Sequence, residues 1–378
     1  MKRIAFAAAV ACIAVPAAAQ LAVSANDNKQ VNIAGVGSVV PNAAPDTVSV
    51  IDMSVFPPRL VGEVQAPTSV VGPPSSVAVA PDESFALVSS AVMKDPKDPA
   101  KTVPDNRLSV IDLKLLKVVQ TLEAGAGAAG VAINRAGTLA LVANRSEGTV
   151  SVFTVKGMAL APAGKVALGS KDSGPSAVKF TPDGRRALVT RDGDSTLSLL
   201  AVDGDKVTAT NRNFYAGIRP YGADIAANGR YAVAANVGRG QGDNDTVSLI
   251  DLSLNPPRTV DTISVGLTPE GITISPNGKY AAVVLHNGSA FAPNSPFYSA
   301  FGKVVLLGIS GGRLSKLSEE RIGRWSQGAA FSPDSGTLLV QNMVEKDIMV
   351  FKIEFDQLRD TLHRIKLSGG GAGLGTAR

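Results

Sequence analysis

The chain has 378 residues, 45% apolar and 18% charged, a balance that excludes a disordered, tail-like protein. Its formal net charge of +5 gives no case for nucleic acid or an anionic membrane surface as a partner. One cysteine and two histidines exclude a disulfide framework, a cysteine-ligated zinc site and a multi-imidazole copper centre, whereas 38 glycines and 23 prolines suit a turn-dense fold.

In chain order, Lys2-Arg3, the apolar stretch Ile4 to Val15 and Ala17-Ala18-Ala19 read as a signal peptide over residues 1–19. That reading places the mature protein in the periplasm or outside the cell. Cleavage after Ala19 removes Cys12, the sole thiol, and leaves residues 20–378 as one domain. No later run reaches about 18 apolar residues, so no membrane span is expected. Residues Val31 to Val40 read as the second strand of a first unit, and Val48 to Gln65 supply its third and fourth.

A repeat then dominates. The turn phrase Thr181-Pro182-Asp183-Gly184 recurs as Ala80-Pro81-Asp82, Asn134-Arg135-Ala136-Gly137, Ala227-Asn228-Gly229, Ser275-Pro276-Asn277-Gly278 and Ser332-Pro333-Asp334. A second phrase of the type Val-Ser-Val-Ile-Asp starts at Val48, Leu108, Val150, Leu197, Val247, Val304 and Ile348. Each unit alternates as a strand, turns tightly, and adds three more strands. A four-stranded sheet with two apolar faces cannot bury both alone, so the copies must stack around an axis. The expected fold is all-β, a seven-bladed β-propeller of four-stranded antiparallel blades. The C-terminal Gly373-Leu374-Gly375-Thr376-Ala377-Arg378 matches Gly130-Val131-Ala132-Ile133-Asn134-Arg135, the start of a unit. It therefore reads as the inner strand of a blade completed by the N-terminal segments, closing the ring with both termini.

Pro-Asp-Gly turns, strands ending in Asn (Leu141-Val142-Ala143-Asn144, Leu339-Val340-Gln341-Asn342) and the Val-Ser-Val-Ile-Asp strand resemble the YVTN family of bacterial extracytoplasmic seven-bladed propellers. The resemblance covers nearly all of the mature chain. It implies the fold; for function it leaves enzymes, binding modules and surface proteins open, and some relatives of this fold are lactonases.

Insertions point to the working face. Three loops between second and third strands are long, Ala91 to Asn106, Val237 to Asp245 and His286 to Gly302, whereas the Pro-Asp-Gly side stays tight. Residues expected at the channel mouth on the loop side are Asn144, Arg145, Arg191, Arg219, Tyr221, Asn236, Arg239, Trp325, Gln327 and Asn342. Converging guanidinium groups suit a carboxylate or phosphate through bidentate donors, unless each arginine only pairs with Glu147, Asp192 or Asp243. The main reading is thus a monomeric binding or scaffold protein that recognises a small anionic molecule or a protein partner at this face. The alternative is a hydrolase that opens a sugar or organic-acid lactone, with His286, Glu270 and Arg219 as an acid–base and anion-stabilising set. No cofactor is implied. No metal is either: Asp192-Gly193-Asp194 and Asp243-Asn244-Asp245 lack the ligand spacing of a calcium loop. The loop His286 to Gly302 carries Phe291, Phe297, Tyr298 and Phe301, either as an exposed apolar anchor or as a small core of its own.

Overall fold

The computed structural model describes residues 20–378; the expected signal peptide, with Cys12, lies outside the described residues. Seven four-stranded antiparallel sheets follow one another around an axis, each inner strand touching the next until the ring closes. Blades 2 to 7 run from inner to outer strand in chain order. Their inner strands are Val77–Val79, Ala128–Ile133, Pro175–Phe180, Pro220–Ile225, Pro269–Ile274 and Ala329–Phe331. Blade 1 is mixed: Gly370–Thr376 is innermost, followed outward by Leu21–Asp27, Thr47–Asp52 and Arg59–Gln65.

Ring closure by both termini is therefore present, with one correction. The second strand of blade 1 is Leu21–Asp27, not Val31 to Val40. Leu21-Ala22-Val23-Ser24-Ala25-Asn26 has the form of the other second strands and ends in the same asparagine. Asn26 donates to Thr47 Oγ1 (3.1 Å) and Ser49 Oγ (2.7 Å), the contacts its counterparts make elsewhere. The segment expected to be that strand instead forms a separate hairpin, Gln30–Ile33 with Val36–Val39, its tip at Ala34-Gly35 in left-handed conformation.

The core lies between blades. Leu141 and Val152 of blade 3 pack against Val178, Val189 and Leu200 of blade 4, and similar layers occur around the ring. Each such side chain contributes about 1.5–3 kcal/mol by leaving water. Inner positions are apolar on both faces because each middle strand is sandwiched by neighbouring blades. Outer strands such as Lys117–Glu123 alternate polar and half-buried. Near the axis the sheets converge until side chains no longer fit. A Cβ on Gly130, Gly222 or Gly271 would lie 2.4, 2.3 or 2.2 Å from a carbonyl oxygen of the next blade. The glycine run near the C-terminus meets the same limit, with Gly371 against Gln341 of blade 7 and Gly373 against Ser76 of blade 2.

The Pro-Asp-Gly turns are closed by their own aspartate. Asp183 Oδ1 accepts from Thr181 Oγ1 (2.6 Å) and Arg185 N (3.0 Å), while Gly184 takes the left-handed position. Four insertions rise on the opposite face: the N-terminal hairpin, Ala91 to Asn106, Val237 to Asp245 and His286 to Gly302. The hairpin is rooted by buried Lys29, whose ammonium meets Asp46 (2.8 Å) and Asp27 (3.1 Å). It reaches past blade 7 to the blade-6 loop, where Asn32 Nδ2 donates to the Ala290 carbonyl (3.1 Å). Among the described residues no helix is long and apolar enough to cross a membrane.

Candidate functional site

Pleat alternation sorts the predicted site residues into two sets. The last residue of a second strand points into its blade. Asn144 donates to Thr149 Oγ1 (2.8 Å) and Ser151 Oγ (2.9 Å) and accepts from Gly125 N (2.9 Å). Asn236 donates to Thr246 Oγ1 and Ser248 Oγ, both at 3.0 Å. Asn342 accepts from Gly323 N (2.9 Å) and donates to Asp347 Oδ1 (2.8 Å). Arg191 occupies this position in blade 4, bonding Ser198 Oγ (3.1 Å) and Asp194. These four side chains clasp third strands and preceding loops. The residue that follows emerges at the mouth: Arg145 in blade 3, Asp192 in blade 4 and His286 in blade 6.

Asp192 is the hub of the first cluster. Arg145 grips it with Nε (3.2 Å) and Nη2 (2.7 Å), Ser176 Oγ donates at 2.6 Å, and Arg219 Nη2 stands at 3.5 Å. The Asp192 carboxylate is buried while Arg219 is 41% exposed, so one carboxylate serves two guanidinium groups and a cationic end faces solvent. The Arg145 guanidinium also lies 5.6 Å from the Tyr221 ring centroid. Burial works against the Arg145 charge, but Tyr221, Asp192 and Glu270 more than offset it, and the group stays protonated. Burial likewise pushes the Tyr221 phenol well above its ordinary range, with Arg145 opposing and Glu270 and Asp192 assisting.

The second cluster joins blades 6 and 7. Glu270 Oε2 lies 3.4 Å from His286 Nε2, and the amide Nε2 of Gln327 lies 3.2 Å from the same ring nitrogen. Gln327 is fully buried and its Oε1 has no partner. A half-turn of the amide gives that oxygen the imidazole N–H, which it then shares with Glu270. His286, 6% exposed, is thus oriented from two sides.

Local backbone explains why these side chains face inward. In blade 6 Pro269 pairs with Leu285 and Gly271 with Val284, leaving Glu270 as the extra residue of a β-bulge. A matching bulge between Pro220 and Ala223 carries Tyr221. Arg219, Thr268 and Trp325 precede these segments with φ of 54°, 52° and 49°, where blades 3 and 4 use Gly127 and Gly174. A left-handed conformation held by a large side chain is strain retained at the mouth.

Other predicted residues stand apart. Arg239 is exposed in the blade-5 loop. Trp325 packs on Val70, Met343 and Ala372, and its amide donates to Ser289 Oγ (3.0 Å). In the blade-6 loop Phe291 and Phe297 pack together with centroids 6.4 Å apart, and Phe297 lies over Gly242 of the blade-5 loop. The aromatic insertion thus builds its own small core, with Phe297 and Tyr298 still partly exposed. Among the described residues no three His, Cys, Asp or Glu side chains are placed to hold a metal ion. Below Glu270 the axis opens into a cavity of about 330 Å³, lined by the lower halves of the inner strands. Sequence reasoning did not single out Ser176 or this cavity; the alternation of the inner strands was the available signal.

Solved structures share this architecture. A candidate 6-phosphogluconolactonase from Bacteroides uniformis superposes with a TM-score of 0.72 at 18% identity, over 95% of this chain and 99% of that one. The periplasmic gluconolactonase PpgL of Pseudomonas aeruginosa gives 0.66 at 16% identity, over 95% and 99%. Hydrazine synthase of Kuenenia stuttgartiensis gives 0.62 at 17% identity, over 82% and 90%. Neighbours at these identities with such different names share the fold alone. No family model matches the chain, and no curated protein matches it. The chain is a seven-bladed β-propeller with structural neighbours among lactonase-named proteins.

Proposed function

We propose that this propeller hydrolyses a lactone at the loop-face mouth of its channel. The observation that carries the reading is the His286–Glu270 pair at 3.4 Å, held by Gln327 and facing the Arg145–Tyr221 cluster. The likeness to lactonase-named propellers supports it. In this reading His286, backed by Glu270, takes a proton from a water that attacks the lactone carbonyl. Arg145 faces the oxyanion, with Nη1 free of its two bonds to Asp192. Collapse breaks the ring C–O bond, and the departing alkoxide takes the proton back from the dyad. The resulting hydroxy acid ionises, and Arg219 meets its carboxylate.

The main expectation from the sequence, a binding or scaffold protein for a small anion or a protein partner, is the second reading. The exposed Arg219 favours it, whereas the shared carboxylate of Asp192 reduces the free charge at the mouth. Protein spanning residues 20–378, mixed with glucono-δ-lactone and its 6-phosphate under pH-stat, is expected to release acid faster than buffer alone. His286→Ala and Glu270→Gln are expected to lower the rate at least a hundredfold. Acid release equal to the spontaneous rate across sugar and organic-acid lactones would overturn the hydrolase reading.

A further inference from the structure

The channel has a second end, and its chemistry differs from that of the loop-face mouth. The cavity of about 330 Å³ below Glu270 is lined toward the Pro-Asp-Gly face by Arg135, Lys179, Asp224, Thr273 and Arg378. They come from five blades: 3, 4, 5, 6 and the extension of the closing strand of blade 1. Arg378 crosses the channel to Asp224, with Nη1 at 2.6 Å from Oδ2, and also donates to the Ile274 carbonyl (3.0 Å). Asp224 further accepts from Ile225 N (3.0 Å), Ile274 N (2.7 Å) and Thr273 Oγ1 (3.3 Å). Its carboxylate is well supplied with donors, and its direct ion pair is with Arg378.

Two cations remain. Among the described residues the side chains of Lys179 and Arg135 make no ion pair or hydrogen bond, and both residues line the cavity. Lys179 is half-buried because the cavity itself touches it, yet protein surrounds the channel on all sides. Burial lowers the pKa of its ammonium, Asp224 opposes that, and Arg378 adds to it. Lys179 shares its counter-charge, Asp224, with Arg378, and an amine so placed in a concave space is an incompletely neutralised cation. The volume is that of a small ligand site, with few polar groups converging from several strands.

We propose that the lower channel is a second site, which takes a small polyvalent anion bearing carboxylate or phosphate groups, on Lys179 and Arg135 with Thr273 and Arg378 beside them. The site does not rest on the lactone reading: Glu270, which lines the top of the cavity, is the one residue it shares with the His286–Arg145 mouth, and Lys179, Arg135, Thr273 and Arg378 take no part in the hydrolysis. Carboxylate and phosphate share the chemistry of charge-assisted acceptance from ammonium and guanidinium.

Calorimetric titration of the protein spanning residues 20–378 with citrate, and separately with inorganic phosphate, at ionic strength matched with sodium chloride tests the proposal. Saturable one-to-one binding of at least one of the two is expected, and which one binds identifies the source chemistry. Lys179→Met is expected to weaken it at least tenfold. Arg135→Gln, a change at an exposed position that leaves the core untouched, is expected to weaken it severalfold. Arg219→Ala and His286→Ala are expected to leave it unchanged, even if they abolish lactone hydrolysis. Absence of saturable binding, or binding retained by both Lys179→Met and Arg135→Gln, overturns the proposal. Loss with Arg219→Ala alone does so too, by moving the anion to the upper mouth.

Discussion

Arg219 sits at φ 54°, in a place where blades 3 and 4 have Gly127 and Gly174, so comparing Arg219→Gly with Arg219→Ala separates strain from contact. Both variants lose the same side chain. That side chain is 41% exposed and reaches Asp192 at 3.5 Å, so after solvent screening the lost ion pair amounts to a few tenths of a kcal/mol, about the same for each. They differ in backbone: alanine keeps a Cβ in the left-handed region, at a cost of about 1 kcal/mol, which glycine escapes. Glycine is therefore expected to be the more stable by about 1 kcal/mol, or about 1–2 °C in a chain of this size. Differential scanning calorimetry of the three proteins under one set of conditions reads this directly. Both variants are expected to lose lactone hydrolysis to a similar degree, at least tenfold in kcat/KM, because the guanidinium is gone from both. Glycine no more stable than alanine would refute the strain reasoning. Full activity in both would refute the placement of Arg219 at the site.

Acid should loosen the Pro-Asp-Gly turns. Hydroxyl and backbone donors hold Asp82, Asp183 and Asp334 below the usual carboxylate range, chiefly Ser84, Thr181 and Ser332 respectively. Carboxyls with lowered folded pKa stabilise fully above the unfolded value of about 3.9, and that stability is lost as pH falls through the folded pKa. The melting temperature is expected to drop steeply below about pH 4, and more shallowly in the triple Asp→Asn variant, which copies Asn228 and Asn277 of blades 5 and 6. Equal slopes would count against the turns as the acid-sensitive element. Gly271→Ala would place a Cβ 2.2 Å from the Gln327 carbonyl oxygen and should cost about 1–3 kcal/mol. By shifting Gln327 it should also lower hydrolysis more than the fall in melting temperature accounts for; unchanged calorimetry would show that the blades slide apart freely.

Much of the ring was legible because its repeat is local. Turn aspartates and third strands recur with their neighbours in sequence, so seven blades and their closure by both termini could be counted. What was not legible depends on parity and on distance. Arg191 and Asp192 are adjacent, yet only the register of their strand sends the first into the blade and the second to the axis. The Glu270–His286 contact was visible as a candidate, but the bulge that aims Glu270 was not, since Pro269-Glu270-Gly271 reads as an ordinary strand start. Leu21–Asp27 was overlooked beside a cleavage site, although Ala25-Asn26 repeats Ala143-Asn144. The lower channel escaped because Lys179 and Asp224 lie on neighbouring blades 4 and 5, while Arg378 comes from the far end of the chain and reaches Asp224 only across the axis.

The seam in blade 1 also governs how the molecule is completed. Six blades are built from contiguous chain and need only a neighbour to be buried against. The remaining one joins Leu21–Asp27 to Gly370–Thr376, strands from opposite ends of the described chain. Until they meet, the chain is an arc whose two end faces, on the three N-terminal strands of blade 1 and on blade 7, have no cover, and Leu21–Asp27 offers a bare hydrogen-bonding edge. Shape closure thus depends on one long-range pairing, whereas the other blades form from contiguous chain. An arc of one chain offers the same missing strand to any other arc nearby. Crowded, unfinished copies would therefore meet each other at this seam, by exchange of Gly370–Thr376, before they meet anywhere else.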